Sequence, residues 1–310
     1  MPNKKILIAD NLHPFFKEEA KKLGYEVDDL PDITRAQTLE VIHKYAGIAI
    51  RTKFNIDKEI LDTGINLKFV ARAGAGMDNI NIDYARSKGI VCINAPEGNR
   101  AAVAEHAIGM LLSLMNKLRK ADIEVRNGIW DREGNRGFEL KGKTVGIIGY
   151  GFMGKSFAKR LKSFEVNVIA FDKYKSDFSD EFVQEVSMEQ IVKYSDVLSL
   201  HIPLKRETFQ LVNEEYLLHF KKPIFFLNTS RGEIANTRAV LNAIKQGKIL
   251  GAGLDVLEIE KFPLLEDEEW FEDLKKEEKI ILSPHVAGWT VESYQKISEV
   301  LADKLKTLST

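Results

Sequence analysis

One cysteine, Cys92, stands among 310 residues, so no intramolecular disulfide is possible. It lies in the apolar run 90–93, where a small buried thiol serves packing rather than chemistry. No stretch approaches the roughly 18 uninterrupted apolar residues of a membrane-crossing helix. The N-terminal MPNKKILIAD likewise lacks the apolar core of a secretory signal. A cytoplasmic protein is therefore expected. Neither sign of charge is in excess: 45 Lys and Arg stand against 46 Asp and Glu, for a net charge of −1. That balance gives no electrostatic reason to expect nucleic acid or an acidic membrane as partner. Low-complexity tracts and short-period repeats are missing too, and no Cys/His spacing suggests a metal site.

What is present suits a soluble α/β protein, with 44% apolar and 29% charged residues. The length suggests two domains, at about 150 residues each. Residues 143–172, KTVGIIGYGFMGKSFAKRLKSFEVNVIAFD, organise the chain. Residues 144–148 form a short β-branched run, the mark of a strand buried on both faces. Gly149, Gly151 and Gly154 then supply G-x-G-x-x-G where the strand should become a helix. The first allows the tight turn, the second lets backbone approach a pyrophosphate, and the third lets helix pack on strand. A helix over 155–163 turns its N-terminal amides toward the anion. The next strand, 166–171, ends at Asp172, close to the roughly 20-residue spacing expected for the acid that binds the adenosine ribose. A carboxylate there repels a 2′-phosphate, so NAD is expected over NADP. Lys173 beside it weakens that preference.

Strands alternate with helices on both sides of this unit, which implies parallel sheets. Before it, strands are expected at 6–9, 25–27, 47–51, 68–71 and 90–93. The glycine-rich turn Arg72-Ala-Gly-Ala-Gly-Met-Asp-Asn79 follows the fourth, and its amides suit a carboxylate or phosphate. Pro96-Glu-Gly-Asn-Arg100 reads as punctuation, and a domain boundary is placed there. An apolar helix follows over 101–117, then a polar stretch, 127–138, as a loop or an arm to a second subunit. A final helix over 290–308 is expected to return to the first domain. The chain thus reads as two Rossmann-like α/β domains with a cleft between them, residues 1–97 with 289–310 binding substrate and 98–288 binding NAD.

Four strand ends after the glycine motif carry His201, Arg231, Asp255 and His285. In a doubly wound sheet such ends line the dinucleotide crevice. Hydride transfer to nicotinamide requires from the protein a base for the hydroxyl proton, a cation for the substrate carboxylate and an acid to hold the base. His285 and Arg231 suit the first two roles, while Glu258 and Glu260 are both candidates for the third. Of the remaining histidines, His106 sits in an apolar helix and is expected to be hydrogen-bonded within the protein.

Seven blocks in order, GIAIRTK, ARAGAGMDNINI, APEGNRAAVAEHAIGMLL, GKTVGIIGYGFMG, NTSRGEI, GAGLDVLEIE and SPHVAG, resemble the D-isomer-specific 2-hydroxyacid dehydrogenases over essentially the full length. The similarity is greatest to the phosphoglycerate dehydrogenase branch. It implies Arg231, Glu260 and His285 as catalytic residues, the family spacing favouring Glu260 over Glu258. It implies NAD contacts from Phe152, Met153, Asp172, His201, Pro203, Thr208, Thr229, Asp255 and Gly288, with Asp255 reaching the carboxamide. Substrate-carboxylate contacts are implied at Gly74, Ala75 and Gly76, and a homodimer around residues 101–140. The chain departs from the family at Lys261, usually proline, and at Phe152, commonly arginine.

Arg51 and Arg72 end strands of the first domain, where a phosphate at the far end of a substrate needs charge-assisted hydrogen bonds. Arg132 or Arg136 is a possible third cation. The expected reaction is oxidation of 3-phospho-D-glycerate to 3-phosphohydroxypyruvate. The alternatives are a glyoxylate or hydroxypyruvate reductase and a non-catalytic NAD-sensing protein.

Overall fold

The computed structural model describes residues 4–309. They divide into two compact units, one running to Arg100 and resuming at Trp289, the other Ala101–Gly288. The first opens with β1 (Lys5–Ile8), α1 (Pro14–Lys22), β2 (Glu26–Asp29), α2 (Arg35–Val41), β3 (Gly47–Ile50), α3 (Lys58–Thr63), β4 (Phe69–Arg72), α4 (Ile82–Ser87) and β5 (Val91–Asn94). These five strands form one parallel sheet in the order β2-β1-β3-β4-β5. The central strand β3 is buried along its whole length, as parallel strands covered on both faces must be.

Next come α5 (Pro96–Met115), α6 (Leu118–Arg126), β6 (Thr144–Ile148), α7 (Phe152–Leu161), β7 (Asn167–Phe171), β8 (Gln184–Glu185), α8 (Met188–Tyr194), β9 (Val197–Leu200), α9 (Glu214–Leu218), β10 (Ile224–Asn228), α10 (Thr237–Lys245), β11 (Ile249–Leu254), α11 (Phe271–Lys276), β12 (Ile280–Leu282) and α12 (Val291–Ser309). The seven strands of the second unit pair in parallel in the order β12-β11-β10-β9-β6-β7-β8. One face buries Leu198, Phe226, Val240 and Ile244, and the other buries Met110, Leu111, Phe157 and Leu161 from α5 and α7. In the first unit α12 buries Ile297, Leu301 and Leu305 against Ile6, Ile8 and Phe16. The expectation of two α/β layers with parallel sheets is met.

Residues 96–100, which read in sequence as punctuation at a domain boundary, form the start of α5. Proline is favoured at the first helical position, where its missing N–H would have no partner anyway. The division between the units therefore falls inside this helix.

Register aligns the carboxyl edge of the second sheet. Leu282 pairs with Leu254, Leu254 with Asn228, Asn228 with Leu200, Leu200 with Ile148, and Ile148 with Phe171. The residues that follow, Ser283, Asp255, Thr229, His201, Gly149 and Asp172, consequently lie along one edge. Among the described residues no helix is long and apolar enough to cross a membrane.

Candidate active site

The glycine turn between β6 and α7 has the shape its residue types dictate. Gly149 has φ +95°, a conformation that L side chains rarely adopt, and a β-carbon there would lie 2.4 Å from the His201 carbonyl oxygen. A β-carbon on Gly154 would lie 2.1 Å from the Gly149 carbonyl oxygen, so the start of α7 rests on the turn only because position 154 is glycine. Beside Gly151 there is open space, and no side chain caps the helix it begins. Open room and uncapped first-turn amides, at Phe152 and Met153 above all, fit a pyrophosphate. Asp172 bounds the turn on the far side, its Oδ2 accepting from the Tyr150 amide at 2.8 Å and its Oδ1 from the Tyr174 amide at 3.0 Å. The carboxylate is thereby fixed at the end of β7.

His201 follows β9 and bonds Ser199 Oγ through Nε2 at 2.9 Å. Burial pushes its imidazole down to about 4, so it is neutral near pH 7. Pro203 is exposed and its carbonyl accepts from Thr208 Oγ, 2.8 Å away, which also caps the Lys205 amide and closes that loop. The Thr229 hydroxyl is buried with no hydrogen-bond partner among the described residues, a polar atom suited to a ligand.

Two acids compete for His285, and the structure separates them. Glu258 Oε2 accepts from the Thr237 amide at 2.7 Å, satisfying the start of α10. Glu260 Oε2 lies 2.8 Å from His285 Nδ1 instead, and both side chains of this pair are partly open to solvent. Arg231 ends the loop after β10 and bonds its own neighbour, Nη1 to the Ser230 carbonyl at 2.5 Å. Its loop reaches the one carrying Glu260 through Gly232, where a β-carbon would lie 1.9 Å from the Leu257 carbonyl oxygen.

Asp255 does something the sequence did not reveal. It is buried, with Oδ1 accepting from Ser283 Oγ at 2.5 Å and the Val286 amide at 2.9 Å, and Oδ2 from the Ala287 amide at 2.9 Å. It is the anchor of the loop that carries His285 and Gly288. The only signal in sequence was its place at a strand end.

In the first unit, Arg51 and Arg72 end neighbouring strands β3 and β4. The Arg51 guanidinium lies 3.7 Å from the Trp289 ring centre, and burial lowers its pKa. Asp10 Oδ2 accepts from the amides of Arg51, Thr52 and Lys53 at 3.0 to 3.1 Å, setting where β3 ends. Arg72 Nη1 lies 1.6 Å from where a β-carbon on Gly74 would sit, and the Gly74 φ of +152° is one that L side chains rarely adopt. Among the described residues the amides of Ala75 and Gly76 meet no acceptor, while the Ala75 carbonyl accepts from Asn94 Nδ2 at 2.6 Å. Two amides and two guanidinium groups at one sheet edge are donors of the kind an anion takes.

Comparison with known proteins adds to this geometry. Residues 108–287 match the model of the D-isomer specific 2-hydroxyacid dehydrogenase NAD-binding domain. A D-3-phosphoglycerate dehydrogenase of Archaeoglobus fulgidus is 34% identical over 98% of the chain, which spans only 57% of that relative's length. A glyoxylate reductase of Thermofilum pendens is also 34% identical, over 93% of the chain and 85% of its own length. Among solved structures, D-lactate dehydrogenase from Aquifex aeolicus, complexed with NAD and lactic acid, superimposes with a TM-score of 0.81 at 28% identity, covering 98% of this chain and 95% of its own.

Proposed function

Because the chain belongs to the D-isomer specific 2-hydroxyacid dehydrogenase family, we propose that it transfers hydride between NAD and a D-2-hydroxy acid, oxidising 3-phospho-D-glycerate to 3-phosphohydroxypyruvate on the route to serine. The cofactor class is NAD(P), and the Asp172 carboxylate at the end of β7 favours NAD, since it would repel a 2′-phosphate. Bound at the glycine turn, the cofactor supplies the hydride acceptor. The protein's residues do the rest. Arg231 holds the substrate carboxylate and polarises the oxygen at C2. His285 takes the hydroxyl proton as the C2–H hydrogen leaves with its electron pair and the carbonyl forms. With Nδ1 bonded to Glu260, Nε2 is the nitrogen left to accept that proton.

The observation that carries the reading is the His285–Glu260 pair on the same unit as the glycine turn. Arg51 and Arg72 support a second anionic group on the substrate, and the amides of the Gly74-Ala75-Gly76 turn support its carboxylate. A glyoxylate or hydroxypyruvate reductase is the second reading, favoured by the 34% identity to the Thermofilum enzyme over most of its length. Exposed Leu118, Ile123, Val125, Ile129 and Trp130 support a homodimer through residues 101–140.

Steady-state rates with 3-phospho-D-glycerate and D-glycerate, in wild type and Arg72→Ala, test the substrate. The wild type should prefer the phosphorylated acid, and Arg72→Ala should erase about 10- to 100-fold of that preference. Equal kcat/KM for the two acids in the wild type would exclude the phosphate reading.

A further inference from the structure

His285 has φ +55°, the left-handed region that L side chains enter only at a cost. Something must hold it there. Its own amide donates to the Asp255 carbonyl at 2.7 Å, and the amides of Val286 and Ala287 donate to the two Asp255 carboxylate oxygens. Asp255 therefore sets the turn.

The chain of hydrogen bonds does not stop at Asp255. Ser283 has one hydroxyl proton, and its 2.5 Å contact with Asp255 Oδ1 commits that proton to the carboxylate. Ser283 Oγ also lies 2.9 Å from His106 Nε2 and, its own proton committed, faces it as an acceptor, which requires Nε2 to carry a proton. His106 projects from α5, and its Nε2 is also 3.7 Å from Asp255 Oδ1. A helix remote in sequence thus fixes the hydroxyl that fixes the carboxylate.

We infer that His106 is a positioning residue for proton transfer, acting through Ser283 and Asp255 to keep the His285 turn in its left-handed form. This rests on the proposal that His285 carries the substrate proton. Outer partners of this kind typically change activity about 10- to 100-fold when removed, because they orient the group that reacts.

The test uses the full chain with His106→Leu, which keeps apolar bulk, His106→Gln, which keeps an N–H donor, Ser283→Ala, and the Leu/Ala double variant. His106→Leu should lower kcat at least tenfold with the NADH Kd within about twofold of wild type. His106→Gln should recover most of the rate. Ser283→Ala should match His106→Leu, and the double variant should be no worse than either, because both act on one chain of bonds. Hydrogen exchange at the amides of Val286 and Ala287 gives a readout independent of turnover: faster in His106→Leu and Ser283→Ala, restored in His106→Gln. Unchanged exchange in His106→Leu, equal impairment in Leu and Gln, or losses that multiply would overturn the inference. Turnover that survives His285→Ala would instead refute the role given to His285.

Discussion

Glu258 and Glu260 stand two residues apart with the same side chain, yet one satisfies a helix start and the other meets an imidazole. Two substitutions should separate them. Glu260→Gln is expected to lower kcat by about 10- to 100-fold, with little change in melting temperature, since the pair is solvent-open and contributes little to stability. Glu258→Gln should leave kcat within a few-fold and lower stability by about 1 kcal/mol through its bond to the Thr237 amide. Paired thermal melts and initial rates decide the matter, and the reverse pattern would exchange the two assignments. Asp172→Ser is expected to narrow the preference for NADH over NADPH, measured as the ratio of their dissociation constants. At this scale the sequence exposes the chemistry-bearing side chains because their types are unusual at strand ends. It does not expose Ser283 or the bonds of Asp255, because the contacts are remote: Ser283 meets His106 from 177 residues away and Asp255 from 28.

The strand, turn and helix from β6 to β7 is the most legible element, because each glycine answers a local steric demand that spacing alone reveals. Gly149→Ala and Gly154→Ala should each cost about 1–3 kcal/mol of stability, the first through its positive φ and the second through a carbonyl 2.1 Å from the added carbon. The added carbon of Gly151→Ala meets nothing within 4 Å among the described residues, so the melting temperature should stay near that of wild type while NADH binding weakens. Thermal melts and NADH titrations separate the two classes. A destabilised Gly151→Ala would show that the open space beside it is illusory. Other elements were read less well. α6 buries none of its side chains, so core packing does not mark it, although its apolar residues are segregated at helical spacing. β8 is two residues long, too short for any alternation. The start of α5 reads in sequence as punctuation, because Pro96, Gly98 and Asn99 speak locally against a helix.

For the whole molecule, the alternation of short apolar runs with helical periods was enough to imply parallel sheets, while strand order was not written in any local pattern. The order places β12, β11, β10 and β9 side by side, so residues far apart in sequence share one edge. One consequence concerns acid stability. His201 stays neutral in the folded chain down to about pH 4, whereas the unfolded chain takes up a proton near its ordinary value of 6.5. Its contribution is full above about pH 6.5 and is lost as pH falls toward 4, at most about 3 kcal/mol. His201→Gln should remove this part of the pH dependence of the melting temperature, and identical acid sensitivity in the variant would contradict it.

The central claim is that His285 moves the substrate's proton while the rest of the site stays able to hold its cofactor. It is tested most directly by NADH oxidation with 3-phosphohydroxypyruvate in wild type and His285→Ala, alongside NADH titration of both proteins. The account predicts wild-type turnover, a fall of about 100-fold or more in kcat for the variant, and an NADH affinity that barely changes. Undiminished turnover in His285→Ala, or a wild type that binds NADH and reduces no 2-keto acid, would contradict it.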